Sequence, residues 1–246
     1  PPFKDVLATL WRQRTFPHIV MAFIIAYLFG AGIFMWLPTF FIRSHGMNTA
    51  EVGAWLAFTS GACGVIGTYL GGVLTTRYAA SQESLHMRAT ALSFVTASAL
   101  YMIAYLTTNK YLALACIATL TFLAALTTGM IFSAIQSLVA ERMRSVALAL
   151  VFLFANLIGA GLGPLLAGVA SDLMAPLFGQ ESLRYALVLL SPGYLWAAFH
   201  YWKASQTIEA DIQAVESKSN SMALKTEAPV NHKPMENPSA LTFNET

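Results

Sequence analysis

The 246 residues are 57% hydrophobic and only 11% charged, with a mean hydropathy of +0.60, which lies outside the usual range of soluble globular domains. A formal net charge of +2 is too small to hold a nucleic acid by its phosphates, so no nucleic-acid partner is expected. The two cysteines, Cys63 and Cys116, both fall in apolar runs, where they act as small apolar side chains and exclude a disulfide framework.

The chain opens with a segment, residues 1–17, in which Phe3, Val6, Leu7, Leu10 and Trp11 share one helical face. This pattern predicts an amphipathic lead-in on the inner membrane surface, with Trp11 and Phe16 at headgroup level. It carries no cleavable signal, and because it starts Pro1-Pro2 instead of Met, a preceding part of the protein is expected. Six apolar runs follow, roughly His18 to Phe41, Val52 to Leu74, Ala89 to Leu106, Tyr111 to Val139, Val146 to Ser171 and Leu183 to Tyr201. A bilayer crossing takes about 20 such residues as helix. None of the runs has a charged residue in its middle. Lipid offers no partner to an open sheet edge, and the ten-residue alternation of a barrel strand is absent, so the spans are helices. The fold class is therefore all-α: a polytopic membrane protein with a six-helix transmembrane bundle over residues 18–201. A cytoplasmic tail occupies 202–246, in which Lys203 to about Glu216 continues as a short surface helix and the remainder is disordered. Its four Lys stand against six acids, so it is not a polybasic lipid anchor.

Lys and Arg collect on alternate connections. Lys4, Arg12 and Arg14 precede the first span, Arg77 and Arg88 follow the second, Arg142 and Arg144 follow the fourth, and Lys203, Lys218, Lys225 and Lys233 follow the sixth, against Arg43, Lys110 and Arg184 on the other side. Both termini are accordingly expected in the cytoplasm. The compact loops point to a bacterial inner membrane.

Small residues distinguish the spans. Ala57, Gly61, Gly64, Gly67, Gly71 and Gly72 mark the second, and Gly159, Gly161, Gly163 and Gly168 with Pro164 mark the fifth. Such spacing lets helix backbones approach closely, while Gly with Pro also suits helices that bend or rock. The fourth span adds Ala125, Gly129 and Ser133. The third and sixth are more uniformly apolar, so the first, second, fourth and fifth are expected around a centre, with the third and sixth against lipid.

No catalytic constellation is apparent. His18, His45, His86, His200 and His232 lie at span ends, in loops or in the tail, with no two expected at comparable depth, which argues against a bis-His haem or a zinc site. Ser93, Ser98 and Ser133 lack a nearby base and are expected to bond backbone carbonyls. No cofactor or metal is expected. What remains is neutral: Phe23, Tyr27, Gly30 and Phe34 at helical spacing on the first span, Thr127, Thr128 and Phe132 on the fourth, and Asn156 on the fifth. These are candidate lining residues for an amphipathic molecule with a large apolar body. Asn156 serves either an interhelical bond or a ligand. Glu51, Glu141, Asp172 and Glu181 all sit at ends or in loops, so no buried carboxylate is expected at mid-depth.

Several ordered motifs go further. The stretch Gly71-Gly72-Val73-Leu74-Thr75-Thr76-Arg77 after the second span and the Gly163-Pro164 turn in the fifth resemble the carboxy-terminal half of a major facilitator superfamily transporter. Trp36-Leu37-Pro38-Thr39-Phe40, Ile135-Gln136-Ser137-Leu138-Val139, Arg142-Met143-Arg144, Asn156 through Pro164, Ser171-Asp172-Leu173, Phe178-Gly179 and Ser182 through Leu187 resemble the spinster-like members. The resemblance covers about Phe3 to Ile212. It implies twelve helices in two halves, alternating access around a central site, an apolar or lipid-like substrate, surrounding membrane lipid, and a missing amino-terminal six-helix half that carries proton coupling. It assigns gate and helix-packing roles to Gly71, Gly72, Arg77, Arg142, Arg144, Gly159, Gly163, Pro164, Asp172 and Arg184. Thr76 stands where the family has an acid beside Arg77, so the usual inner charge network is either lost here or supplied by Glu83 or Glu141 instead. The competing readings are a self-contained six-helix channel or homodimeric carrier, a membrane-embedded enzyme, and a non-functional remnant.

Overall fold

Backbone amides in hydrocarbon have to find partners within their own segment, and every regular element described is a helix. The structure is a computed structural model that describes residues 10–78 and 82–227; the start of the lead-in and the end of the tail lie outside them. Helix α1 runs Thr15–His45 and ends at Gly46, whose φ of 63° is a left-handed value that glycine reaches at little cost. Helix α2 comprises Thr49–Phe58, a π-turn at Thr59–Cys63, and Gly64–Tyr78. Its first turn is capped by the Asn48 side chain, which accepts the Glu51 amide at 2.9 Å. Helices α3 (Glu83–Leu106) and α4 (Lys110–Ser137) follow, the latter capped by Asn109. Helix α5 comprises Arg144–Phe154, a π-turn at Ala155–Ala160, and Gly161–Phe178. Helix α6 comprises Ser182–Leu190 and Gly193–Ser205, and α7 is Ile208–Glu227.

By length and composition, five helical runs are able to cross a membrane, the last being 65 residues from Glu141 to Ser205. That run is far too long for one crossing at about 1.5 Å per residue. It turns at Gly179, φ 53°, and α6 packs back along α5. Six crossings result.

The packing has an internal two-fold pattern. Helix α2 lies on α4 as α5 lies on α1, α3 lies on α4 as α6 lies on α1, and α3 lies on α6. Exchanging the first three spans with the last three leaves these pairs unchanged, while the α5–α6 contact has no α2–α3 counterpart among the described residues, and each middle helix carries a π-turn. The glycines explain the closest contacts. A methyl on Gly67 would meet the Phe122 carbonyl at 2.6 Å, and one on Gly71 would strike the Leu126 backbone; one on Gly159 would meet Tyr27 Cβ at 2.6 Å, and one on Gly163 would strike the Leu28 carbonyl. Here helix backbones touch, as dispersion in lipid requires. Gly61, Gly64 and Gly72 face open space, so only part of the α2 stripe is a packing seam.

Two apolar cores occupy opposite ends of the bundle. One joins Phe16, Ile19, Met87, Ile135, Leu138, Val151 and Tyr201; the other joins Ile33, Phe40, Phe41, Tyr105, Leu114, Leu183 and Leu187. Three sequence expectations are corrected here. Phe16 is buried in the first core rather than lying at the headgroups. The tail helix runs on to Glu227, and its Asp211 carboxylate accepts the Thr15 amide at 2.8 Å, capping α1, which has no cap of its own. The third and sixth spans are not merely lipid-facing, since α3 and α6 pack on each other and on α4 and α1, leaving only their outer sides exposed.

Gly67→Val is expected to destabilise the folded chain by about 1–3 kcal/mol, as overpacking does, whereas Gly64→Ala, in open space, leaves it unchanged. Thermal unfolding of the purified variants in detergent reads the difference.

Candidate functional site

Between the two cores the helices part, leaving a cleft of about 500 Å³. Its lining comes from all six spans: Phe23, Tyr27, Gly30, Ala31 and Phe34 of α1, Thr59 and Ser60 at the π-turn of α2, Phe94 and Tyr101 of α3, Leu120, Thr121, Thr127 and Thr128 of α4, Ala160 at the π-turn of α5, and Tyr194 and Tyr201 of α6. A π-turn widens a helix by one residue and recurs at functional positions. Both π-turns among the described residues reach the cleft, and the one in α5 ends just ahead of Pro164, which has no amide to donate. The Pro164 carbonyl instead accepts Trp36 Nε1 at 3.0 Å, tying α5 to α1.

Of the residues singled out from sequence, Phe23, Tyr27, Gly30, Phe34, Thr127 and Thr128 are brought to one cleft. The gap at Gly30 is filled from α6, where the Tyr194 hydroxyl lies 3.2 Å from the position a methyl would take. Phe132 is placed beneath the cleft, in an aromatic cluster with Phe23 at 6.1 Å and Phe152 at 5.4 Å. Asn156 is exposed away from the cleft, and its amide donates to Phe152 O at 2.8 Å within its own helix, so among the described residues it bridges no helix pair.

Sequence reasoning missed the tyrosines of α3 and α6. Tyr101 stacks on Tyr194 with centroids 5.0 Å apart and Phe94 packs on Tyr201 at 5.1 Å. A signal was available: Phe94, Ser98, Tyr101 and Tyr105 recur at three- and four-residue spacing, as do Tyr194 and Tyr201 one double turn apart. It was masked by the general apolarity of those spans.

The cleft is electrically neutral, with no acidic, basic or histidine side chain in its lining among the described residues. Its threonines direct their hydroxyl protons to backbone carbonyls of the preceding turn, Thr127 to Leu123 at 2.9 Å and Thr128 to Ala124 at 2.7 Å, so they present methyls and lone pairs. The remaining polar handles are the Ser60 hydroxyl and the phenols of Tyr27, Tyr101, Tyr194 and Tyr201. Such a surface receives a large apolar body and accepts or donates a few neutral hydrogen bonds.

The charged groups lie at the two ends. At one, Arg184 pairs with Glu181 at 2.6 Å and donates to Ser44 O at 3.2 Å, and Lys110 pairs with Glu51 at 2.8 Å. At the other, Arg77 and Arg142 are exposed, and Arg144 stands 3.8 Å from exposed Glu141. Asp172 is also exposed. Neither Glu83 nor Glu141 pairs with Arg77 among the described residues, which overturns that part of the expected charge network. The histidine expectation is overturned as well: His18 Nδ1 and His200 Nδ1 lie 2.9 Å apart across α1 and α6. Among the described residues no third ligand joins them in a metal site.

Comparison with known proteins bears on this arrangement. The model of the Major Facilitator Superfamily matches residues 1–164. The chain belongs to the Major Facilitator Superfamily. It is 30% identical, over 221 residues, to an MFS-type efflux pump of Mycolicibacterium smegmatis, a match that covers 86% of this chain and 50% of that protein. Its fold is similar to two crystal structures of a bacterial homolog of the human lysosomal transporter Spinster. The inward-facing unoccupied form has a TM-score of 0.76 at 20% identity, covering 85% of this chain and 51% of that one. The inward-facing occupied form has a TM-score of 0.68 at 22% identity, covering 82% and 51%. The chain thus spans about half the length of the relatives it matches.

Ala31 is half-buried on the cleft wall and outside both cores. Ala31→Trp is expected to fill the cleft and weaken binding of an apolar fluorescent amphiphile by tenfold or more, about 1.4 kcal/mol. Asn156→Ala is expected to leave it unchanged. Fluorescence titration of the purified chain in nanodiscs checks both.

Proposed function

We propose that this chain is the carboxy-terminal six-helix half of a spinster-like secondary transporter, and that its neutral aromatic cleft forms one wall of a central path for an amphipathic or lipid-like molecule. The observation that carries this reading is the cleft itself, which draws on all six spans, sits between two packed cores, and is lined by rings and phenols without a formal charge. The two-fold helix arrangement supports it, because transporters of this architecture move one bundle against another around a midplane site. So does the placement of the glycine seams, which let α2 and α5 approach α4 and α1 without interdigitating side chains. The apolar faces of α2 and α5, with Phe58, Ile66, Leu157 and Leu165 exposed, are available to the amino-terminal half and to lipid. The chain resides on this reading in a bacterial inner membrane, with the Arg77 and Arg142 end and both termini in the cytoplasm, as the excess of Lys and Arg there favours.

The test uses cells that express the complete protein containing this chain. Extrusion or uptake of a fluorescent lysolipid or similar amphiphile is expected to fall to background in Ala31→Trp at unchanged membrane expression. Retention of full transport by that variant would overturn the role of the cleft. A single cysteine introduced at the exposed Ser145 is expected to react with a membrane-impermeant maleimide only after the cells are opened. Labelling in intact cells would reverse the orientation.

A further inference from the structure

A second, smaller space opens off the cleft between α3 and α4, with a volume of about 50 Å³. Phe94, Tyr101, Leu120, Ala124, Thr127 and Tyr194 line both spaces and so form the mouth between them. Ser93, Ala97 and Leu123 line the small pocket and not the cleft. Tyr101 and Tyr194 are stacked at that mouth, with centroids 5.0 Å apart and planes at 22°.

The pocket suits hydrocarbon. Its hydroxyls are committed within their own helices, Ser93 donating to Ala89 O at 2.9 Å and Thr127 to Leu123 O at 2.9 Å. A polar group carried past the phenols at the mouth therefore meets no free donor, and burying it unpaired is costly. Size excludes as much as polarity does. A water-sized group needs about 10–15 Å³ of such space, so about 50 Å³ holds about four methylene-sized groups. A six-membered ring already exceeds that. A chain that enters from lipid gains little from burial as such, since acyl chains are equally apolar. What the pocket contributes is fit: an end that falls short forfeits dispersion contacts, and an end that overruns forces the wall apart.

We propose that this pocket receives the terminal carbons of a straight alkyl chain, so that the solute is a single-chain amphiphile whose length is measured against Ala97 and Leu123. The proposal rests on the reading of the cleft as a solute site and adds a selectivity to it. The polar end of such a molecule stays in the cleft, where the hydroxyls of Ser60 and Tyr27 offer neutral bonds. Its chain passes the Tyr101 and Tyr194 rings and ends between α3 and α4.

The experiment uses the complete protein containing this chain, in nanodiscs, and displaces a fluorescent amphiphile with lysolipids of one headgroup and increasing saturated chain length. Partition of each lysolipid into the disc is the same for every variant. The ratio of variant to wild-type affinity at each length therefore isolates the pocket. Ala97→Leu lengthens the wall by three carbons and is expected to move the best-bound chain shorter by about three carbons. Affinity at the former optimum is expected to fall about tenfold, while chains too short to reach the pocket are unaffected. Leu123→Ala removes the same number of carbons and is expected to move the optimum longer. The two shifts have opposite signs and are read independently, so the second variant decides the matter where the first does not fold. Affinity ratios that do not depend on chain length, or a wild-type protein without an optimum, would overturn the proposal. Displacement with unmoved optima removes this inference alone, whereas a protein displaced by no member of the series removes the reading of the cleft as well.

Discussion

The structure depends on backbone touching backbone at five glycines, Gly32 of α1 lying against Gly163 of α5. In lipid, apolar side chains gain nothing from burial that the acyl chains do not already give them, so helices hold together by close van der Waals approach and by the few polar bonds they can form. Gly67 and Gly71 let α2 lie directly on α4 near Phe122 and Leu126, and Gly159 and Gly163 let α5 lie on α1 near Tyr27 and Leu28. These seams fix the middle helix of each three-helix set against the first helix of the other. With the middle helices held to one side, α1, α3, α4 and α6 close around the two cores, and the space between the cores stays open.

That open space is apolar for a reason that follows from the same constraint. A charged side chain at this depth is costly, and the chain avoids it by using hydroxyls that are already committed. The threonines satisfy themselves on carbonyls one turn back, and the phenols of Tyr101 and Tyr194 stack so that each ring covers the other's face. Polar chemistry is pushed to the ends, where Arg184, Glu181 and Ser44 link α1 to the α5–α6 turn and where Glu83 meets the serines of α4. The result is a separation between a neutral cleft in the middle and charged bridges at either rim.

Much of this was legible in the sequence, and the parts that were not share a cause. Six spans, their ends and the glycine seams follow from hydropathy and spacing, because the bilayer imposes length and the glycine marks contact. Phe23, Tyr27, Gly30 and Phe34 fall on one helical face and do meet at the cleft. Periodicity, however, says nothing of which face turns inward when every face is apolar, and so it marks neither the exposed side of α5 that carries Asn156 nor the inward turn of Tyr101 and Tyr194. Tertiary pairs across a long separation in sequence were equally hidden. His18 with His200 and Glu83 with Ser133 depend on where helices cross, which no local pattern encodes. Gly61 and Gly64 show the converse failure, since they continue the α2 stripe on paper yet touch no neighbour.

A neutral cleft also constrains how movement is driven on the reading proposed here. A solute that makes only dispersion contacts and a few neutral bonds has little differential affinity for two states of the protein, and a ligand shifts an equilibrium only by that difference. The bias between states then has to come from groups whose bonding changes with charge. Among the described residues such groups sit at the rims, in the Arg184–Glu181 and Lys110–Glu51 pairs at one end and in the Glu83 cluster at the other. The two surface pairs are partly exposed and screened by water, so each is worth little. The Glu83 carboxylate is largely buried and joins two helices through Ser133 of the facing span. Among the charged bridges of the described residues it is therefore more sheltered from water than the two surface pairs, and it ties its two helices without placing a charge in the cleft.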